Sequence, residues 1–267
     1  VTDDDGASDT ASRQIVVTAP SAGSLAQDGF ARTTTNGWGV ADRGGPWSIT
    51  GSASRYAVAG GSGKQVLSAG GTSAYAALVD VDSRSTDLRT TISWRRTAAA
   101  GSLYGSVVVR RISSTSDYRC NLVVSSSGVI TLALVRRVSS AETTLASSKV
   151  GDVRQVADQG YRVACRAVSN GASTQLNGKL WAVGDGEPTG WQVSAVDSSV
   201  SLQSRGGVGF GTYLSSSATA GGGTSLSGLL AAGARGWPLR RAASTRRRLR
   251  LGRVNSGPAG MSAVGRA

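Results

Sequence analysis

Eight polar and aromatic residues have the types and the spacing that sugar binding requires. Four of them alternate along one predicted strand and share one side of it, and these are Gln175, Asn177, Lys179 and Trp181. The outward sides of two other predicted strands carry the remaining members, which are Arg119, Asn121, Arg162 and Arg166. An indole ring stacks on the apolar side of a pyranose, amides bond hydroxyl groups, and cations favour acidic saccharides. These eight residues are therefore the predicted ligand face.

A structural interpretation of the same residues stays open beside the functional one. Any sheet with one solvated face directs polar and charged side chains outward. In that case Trp181 packs beneath the turn formed by residues 184–188. The sequence alone places the eight residues outward under both interpretations.

The carboxylates do not form a catalytic set. Glycoside hydrolysis needs paired carboxylates in a defined geometry, but the only glutamates are Glu142 and Glu187. Asp80 and Asp82 share one strand face, which fits acid/base pairing or metal ligation, but a solvated strand end is the better account. The chain contains no histidine, which excludes a serine triad with a histidine base, and it has no phosphate-binding G-x-x-x-x-G-K-[ST] loop. We expect no enzymatic activity.

One acidic cluster has the chemistry of a calcium site. Asp3, Asp4 and Asp5 supply adjacent oxygen ligands of the kind that calcium prefers. The alternative is a solvated turn. Two cysteines and no histidine are too few for a zinc site. We expect no cofactor, with calcium at this cluster left open.

The positive charge is concentrated at the end of the chain. The formal net charge is +13, but residues 233–267 contain nine arginines and no acid, so residues 1–232 carry 20 basic and 16 acidic residues. Such a basic segment could bind nucleic acid or an anionic envelope polymer. It could also be a disordered product of a shifted reading frame. We expect no nucleic-acid binding by the body, and we expect deletion of 233–267 to leave the melting temperature nearly unchanged.

The elements that position these residues are predicted to be short β-strands. Runs rich in valine, leucine, isoleucine and tyrosine recur between glycine- and serine-rich turns, with almost no helical spacing. The predicted strands are 56–58, 64–68, 74–82, 88–96, 103–112, 118–125, 129–138, 143–146, 161–168, 175–183, 191–194 and 208–214. Ser127 and Gly128 indicate a hairpin. The pattern predicts an all-β, two-sheet antiparallel sandwich.

Alternation also predicts which side chains form the core. The inward residues include Leu122, Leu132, Val163 and Leu180, and the same sides carry Cys120 and Cys165. Buried free thiols are the default prediction for this pair. An internal disulfide is the alternative if their strands are close neighbours.

Two motifs resemble a known family. Residues 179–191 read K-x-W-x-x-G-x-x-E-P-x-x-W, and residues 28–51 match a family opening at Asp28, Phe30, Arg32, Trp38, Asp42 and Trp47. Both resemble concanavalin A-like (laminin G-like) domains of secreted and surface proteins of high-GC bacteria, which often follow PKD domains. The resemblance implies a jelly roll in which ligands often lie on a concave sheet, and a packing role for the two opening tryptophans. Related glucanases carry E-x-D-x-E on one strand, which is absent here.

The resemblance also implies a division of the chain. Residues 1–18 are similar to the last strands of a PKD domain, 19–27 form a linker, 28–230 form the sandwich, and 231–267 form the basic tail. The family closes with a strand of the form F-D-D-L-x-V. Residues 224–230 are at best a degenerate version of that strand, and its loss would leave a neighbouring strand unpaired.

The predicted function follows from these parts. The chain is expected to be a non-catalytic extracellular or cell-surface module that binds polysaccharide or cell-envelope glycan, or acts as an adhesion or spacer unit. The alternatives are an accessory domain of a polysaccharide-degrading enzyme and a polyanion-binding protein that acts through its tail. We expect a monomer with no membrane span, since no apolar run approaches the ~20 residues needed.

Overall fold

A computed structural model describes residues 23–95, 100–218 and 222–233 of the chain. The described residues form sixteen strands, two single-turn 3-10 helices (Ala53–Arg55 and Val200–Leu202) and no α-helix. In chain order the strands are β1 (Ser24–Asp28), β2 (Thr34–Thr35), β3 (Ser48–Thr50), β4 (Tyr56–Ala59), β5 (Ser62–Leu67), β6 (Ser73–Ser83), β7 (Thr86–Trp94), β8 (Ser102–Arg111), β9 (Asp117–Ser125), β10 (Val129–Val138), β11 (Ala141–Arg154), β12 (Tyr161–Ser169), β13 (Thr174–Ala182), β14 (Val193–Asp197), β15 (Gly206–Leu214) and β16 (Gly222–Gly233).

The strands form two antiparallel sheets. The nine-stranded sheet has the order β14-β13-β12-β7-β16-β5-β4-β2, with β1 also paired to β16. The seven-stranded sheet has the order β11-β10-β9-β8-β15-β6-β3. The prediction of an all-β antiparallel sandwich is confirmed. The hairpin predicted at Ser127 and Gly128 joins β9 to β10, where the Gly128 amide donates to the Ser125 carbonyl at 2.9 Å.

The core lies between the sheets and consists of the side chains that alternation assigned to it. Leu122, Leu132 and Leu180 are fully buried, and Val163 is 1% exposed. These residues come from β9, β10, β13 and β12, so both sheets contribute to one cluster. Burial of each side chain contributes roughly 1.5–3 kcal/mol, which makes the inward alternation the main determinant of the fold.

The family-like opening motif is a buried packing unit. The Asp28 carboxylate is fully buried and accepts two hydrogen bonds from Arg32, both at 2.8 Å. It also accepts one from Trp47 Nε1 at 2.7 Å and one from the Phe30 amide at 2.8 Å. Trp38 packs edge-on against Trp47 with ring centroids 4.9 Å apart. The packing role expected for both tryptophans is what the structure shows.

The first and the last strand in chain order differ from the prediction. The predicted linker over 19–27 includes most of β1, which pairs with β16. The predicted degenerate closing strand is a full strand: β16 lies between β7 and β5 in the nine-stranded sheet. Sheet pairing uses backbone groups, so a glycine- and serine-rich sequence can still supply it. The expected unpaired neighbour is therefore not found among the described strands.

A disulfide joins the two sheets. Cys120 on β9 and Cys165 on β12 are bonded, with their Cα atoms 6.0 Å apart. The default prediction of free thiols is wrong, because the two strands face each other across the core rather than lying side by side. Gly178 on β13 pairs with Cys165 on β12. A Cβ atom at Gly178 would lie 3.2 Å from Cys120 Sγ. The missing side chain lets the sheets approach at the bond.

Several predicted features lie outside the described residues. These are the PKD-like fragment over 1–18, the calcium candidates Asp3, Asp4 and Asp5, and residues 234–267 of the predicted tail. The remaining domain boundaries stay predictions.

Candidate functional site

The eight predicted ligand residues lie on opposite sides of the molecule. Six of them are on β12 and β13 and point to the outer face of the nine-stranded sheet. Arg119 and Asn121 are on β9 and point to the outer face of the seven-stranded sheet. The core separates the two groups, so the structure does not bring the eight residues into one site.

On the nine-stranded sheet, the second family-like motif is held together by its own contacts. Lys179 Nζ lies 2.8 Å from a carboxylate oxygen of Glu187 and donates to the Pro188 carbonyl at 2.8 Å. The same ammonium group lies 5.1 Å from the Trp191 ring centroid and 6.0 Å from that of Trp181. The loop after β13 thus folds back over the outer face of that strand.

The other polar groups of β13 also bond within the chain. Asn177 Nδ2 donates to Ser194 Oγ at 2.9 Å, and Gln175 Nε2 donates to the Ala195 carbonyl at 3.1 Å. Trp181 is only 6% exposed, so it cannot offer a full ring face to a sugar. Arg162 is exposed and Arg166 half-buried. Sugar binding on this face stays a prediction.

A cavity of about 230 Å³ nevertheless lies beside Trp181. Its lining includes Arg89, Arg162 and Glu187. Burial raises the pKa of Glu187, but hydrogen bonds from Lys179 and Arg89 outweigh burial, and the net pKa is below its ordinary value. Arg89 donates to both oxygens of Glu187, at 2.8 and 3.0 Å. The charges of this cavity are therefore largely paired.

The outer face of the seven-stranded sheet has a different construction. Strand β15, which lies between β8 and β6, carries glycine at three successive outward positions, namely Gly207, Gly209 and Gly211. Tyr75 on β6 pairs with Gly211, and a Cβ atom at Gly211 would overlap with the Tyr75 ring. The absent side chain at Gly211 lets the Tyr75 ring lie against the strand, and Gly209 lines a groove beside it.

Arg119 borders this groove and is held by two carboxylates. Its guanidinium forms a two-point ion pair with Asp117 and contacts Glu142 at 3.1 Å. It lies 5.4 Å from the Tyr75 ring centroid and donates to the Tyr75 hydroxyl at 3.3 Å. Burial lowers the pKa of Arg119, but the hydrogen bonds and charge of Asp117 outweigh burial and raise the net pKa. Arg119 is thus a fixed cation beside an aromatic ring.

A cavity of about 170 Å³ opens between these groups. Its lining includes Tyr75, Arg111, Asp117, Arg119 and Arg137. Arg137 donates to the Ser114 carbonyl at 3.0 Å and lies 3.6 Å from Asp117. Among the described residues, Asp117 is the only carboxylate that lines this cavity. The cavity therefore combines an aromatic ring with three guanidinium groups and one acid.

Sequence patterns did not identify Tyr75, Arg111 and Arg137 as one group. The outward glycines of G-G-V-G-F-G were a usable signal, since they predict a bare strand in the middle of a sheet. Arg111 carried no such signal, because the register of β8 shifts between Val108 and Arg110. This β-bulge turns Arg110 inward and Arg111 outward, which reverses the faces that strict alternation assigns.

Comparison with known proteins supports the fold. No family model matches the chain, and no curated protein matches it. The β-glucanase of Bacillus licheniformis superposes with a TM-score of 0.52 at 8% identity, covering 80% of this chain and 99% of that one. The GH43 protein BlXynB of Bacillus licheniformis gives 0.50 at 12% identity, covering 78% of this chain and 39% of that one. The chain thus spans about two fifths of BlXynB.

These likenesses place the chain among jelly-roll β-sandwiches. The predicted concanavalin A-like fold agrees with its neighbours, whereas a PKD domain is not among the features found. In the described part of the chain, no helix is long and apolar enough to cross a membrane. Within the same residues, no three metal-binding side chains of histidine, cysteine, aspartate or glutamate cluster.

Proposed function

We propose that this chain is a non-catalytic carbohydrate-binding module whose ligand lies on the outer face of the seven-stranded sheet. The observation that carries the proposal is the cavity where Tyr75 lies over glycine beside Arg111, Arg119 and Arg137. A flat aromatic ring offers the surface on which the apolar side of a sugar stacks. Fixed guanidinium groups and serine hydroxyls at the rim supply the directional hydrogen bonds.

The size of the cavity favours a short ligand segment. A volume of about 170 Å³ is below that of a pocket for drug-sized molecules. It suits one sugar unit, with the rest of a chain continuing along the groove over β15. Arg119 and Asn121 of the original ligand set lie on this face, and Asn121 accepts a hydrogen bond from Ser106 at 2.7 Å.

The same cavity argues against hydrolysis. General acid/base cleavage of a glycoside needs two carboxylates with distinct protonation states. Asp117 is bound by Arg119, and Glu142 contacts the same guanidinium. Asp82 pairs with Arg205 at 2.5 Å, on another part of the surface. We therefore expect purified protein to release no reducing ends from polysaccharides, and measurable turnover would contradict the non-catalytic part of the proposal.

An extracellular or cell-surface location belongs to the same proposal. A disulfide between the two sheets is typical of proteins that fold in an oxidising compartment. Ligands in that setting include polysaccharides and cell-envelope glycans. An accessory domain of a larger polysaccharide-degrading enzyme would bind in the same way. Polyanion binding through the basic tail concerns residues outside the described ranges, and it would need no groove.

The test is a glycan array with the full chain, followed by calorimetry on the saccharides that bind. Tyr75→Ala should weaken binding about tenfold, or ~1.4 kcal/mol, because it removes the stacking ring. Tyr75→Phe keeps the ring and should retain most of the affinity. The measured quantity is the dissociation constant at equal fraction folded.

A second variant guards against a folding defect in the first. Ser73 is half-buried at the cavity rim. Ser73→Trp places a large group at the opening, and we expect it to block the ligand. Full binding by both Ser73→Trp and Tyr75→Ala, or no binding of any saccharide by the wild type, would show that this face is not a glycan site.

A further inference from the structure

The cavity on the seven-stranded sheet contains a cation without a partner. Arg111 lines it and is half-buried, yet among the described residues its guanidinium makes no hydrogen bond or ion pair. Its two cavity neighbours differ in this respect. Arg119 binds Asp117 and Glu142, and Arg137 bonds Ser114 and Ser140. Arg111 is therefore the guanidinium of this cavity that is left to bind something else.

The net charge around the cavity favours the binding of one anion. Three guanidinium groups and Asp117 line the cavity, and Arg119 and Arg137 share that carboxylate. Glu142 contacts Arg119 from outside the lining, so the two carboxylates leave one positive charge uncompensated. A partly desolvated cation attracts an anion more strongly than an exposed one does. The planar guanidinium also presents two parallel donors that match a carboxylate.

We propose that the cavity is specific for an acidic saccharide and that Arg111 binds the sugar carboxylate while Tyr75 stacks on the ring. The proposal rests on the proposed function, since it names the ligand class of the same site. Along β15, Gly211 pairs with Tyr75 and Gly207 pairs with Arg111. Arg119 lies between these two levels, since it pairs with Val108, the partner of Gly209. One sugar unit on the glycine groove can therefore meet the ring and the cation together.

The electrostatic surroundings of Arg111 agree with this assignment. Burial lowers the pKa of Arg111, the nearby Asp117 raises it, and Arg137 lowers it again, with a net pKa below its ordinary value. The side chain remains charged at neutral pH, since arginine does not lose its proton in proteins. The cationic form is thus held in an unfavourable environment that a bound carboxylate would relieve.

The test uses hexuronate oligosaccharides built from galacturonate, glucuronate or mannuronate, each with its carboxyl-reduced counterpart. Within each pair the two sugars differ only at the carboxyl position, where a neutral hydroxymethyl group replaces the carboxylate. We expect wild-type full chain to bind at least one uronate about tenfold more tightly than its reduced partner, by the usual strength of a charge-assisted hydrogen bond. Arg111→Gln should abolish that difference, with a clearly larger loss of affinity for the uronate than for the reduced form. Arg111→Lys should retain part of it.

A matched control separates this site from general attraction to a basic protein. Arg43→Gln removes one exposed cation that lines neither described cavity, so the net charge changes equally. We expect Arg43→Gln to bind like the wild type, at physiological and at raised salt. Equal loss in both variants, or loss only in Arg43→Gln, would overturn the assignment.

Failure of the inference is distinguishable from failure of the proposed function. If neutral oligosaccharides bind, depend on Tyr75 and ignore Arg111, the glycan site stands and the acidic specificity is wrong. Selectivity for sulfated over carboxylated saccharides would also overturn the carboxylate assignment. If no saccharide binds, both proposals are wrong.

Discussion

Arg110 is a fully buried cation at one end of the sandwich. Its guanidinium donates to the Leu202 carbonyl at 3.0 Å and to Thr174 Oγ1 at 2.6 Å, and it also contacts the Arg84 carbonyl. Burial lowers the pKa of Arg110. Carbonyl and hydroxyl oxygens, rather than a carboxylate, thus solvate the charge. The bulge that turns Arg111 outward therefore also lets Arg110 connect the β6–β7 turn, the start of β13 and the second 3-10 helix.

A carboxylate close to Arg110 is held by a second set of contacts. The Tyr118 ring lies 5.5 Å from the Arg110 guanidinium, and its hydroxyl donates to Asp197 Oδ2 at 2.5 Å. Arg136 and the Ser199 amide donate to Asp197 at 2.8 and 3.0 Å. Burial raises the pKa of Asp197, but these contacts outweigh burial and bring the net pKa below its ordinary value of 3.8. The folded state therefore favours the ionised form.

The lowered pKa predicts a pH-dependent stability. The contribution of Asp197 is present above pH 3.8 and is lost as the pH falls through the lower folded pKa. Asp197→Asn should lower the free energy of unfolding by about 1–3 kcal/mol near neutral pH. Its deficit should shrink in strong acid. Urea unfolding near neutral pH and in strong acid measures the deficit. Asp185→Asn, at an exposed position, is the control. A deficit that does not change with pH would contradict the assignment.

At the scale of elements, β16 is the strand on which the nine-stranded sheet depends. It pairs with β7 from Thr224 to Gly233, with β5 from Gly222 to Leu226, and with β1 from Leu229 to Ala232. No other described strand bridges β7 to β5. Its removal would open the sheet in the middle and expose two rows of backbone groups.

This position makes the effect of truncation sharply dependent on where the chain ends. Deletion of residues 222–267 should abolish the cooperative thermal transition, because β1, β5 and β7 lose their shared partner. Deletion of 234–267 keeps every described pairing of β16, and we expect a melting temperature close to that of the full chain. Calorimetry on both truncations measures the difference. A large drop in the shorter deletion would show that residues after Gly233 stabilise the sandwich.

For the whole molecule, the disulfide is the one covalent cross-link between side chains of the two sheets in the described residues. It connects Cys120 and Cys165, which are 45 residues apart in the chain. Such a link limits the unfolded chain, and the entropy of closing a loop of that length corresponds to about 4 kcal/mol. It also fixes the spacing of the sheets beneath Gly178.

Removing both sulfur atoms should therefore destabilise the molecule without changing its fold. The double variant Cys120→Ala/Cys165→Ala should lose about 3–4 kcal/mol of unfolding free energy in urea. Wild-type protein with reductant in the unfolding series should approach the same midpoint. If the double variant stays within about 1 kcal/mol of the wild type, the unfolded chain is not limited by the bond as the loop-entropy estimate requires.

The amino-acid sequence by itself determined most of the strands, although not β1, β2 and β3, and the side to which most residues point. The inward positions of Leu122, Leu132, Val163 and Leu180 follow from alternation, a local property with a period of two. The fold class follows as well, because regularly spaced half-buried strands have few other solutions.

Only the tertiary structure decided which outward residues share a surface. Arg119 and Trp181 both point outward, but they lie on opposite sheets, and no local pattern records the sheet to which a strand belongs. The bulge in β8 places Arg111 on the outer face. The cysteines are bonded because β9 and β12 face each other across the core. The physical reason is that alternation sets the side of a strand from neighbouring residues, whereas strand order depends on contacts between residues far apart in the chain.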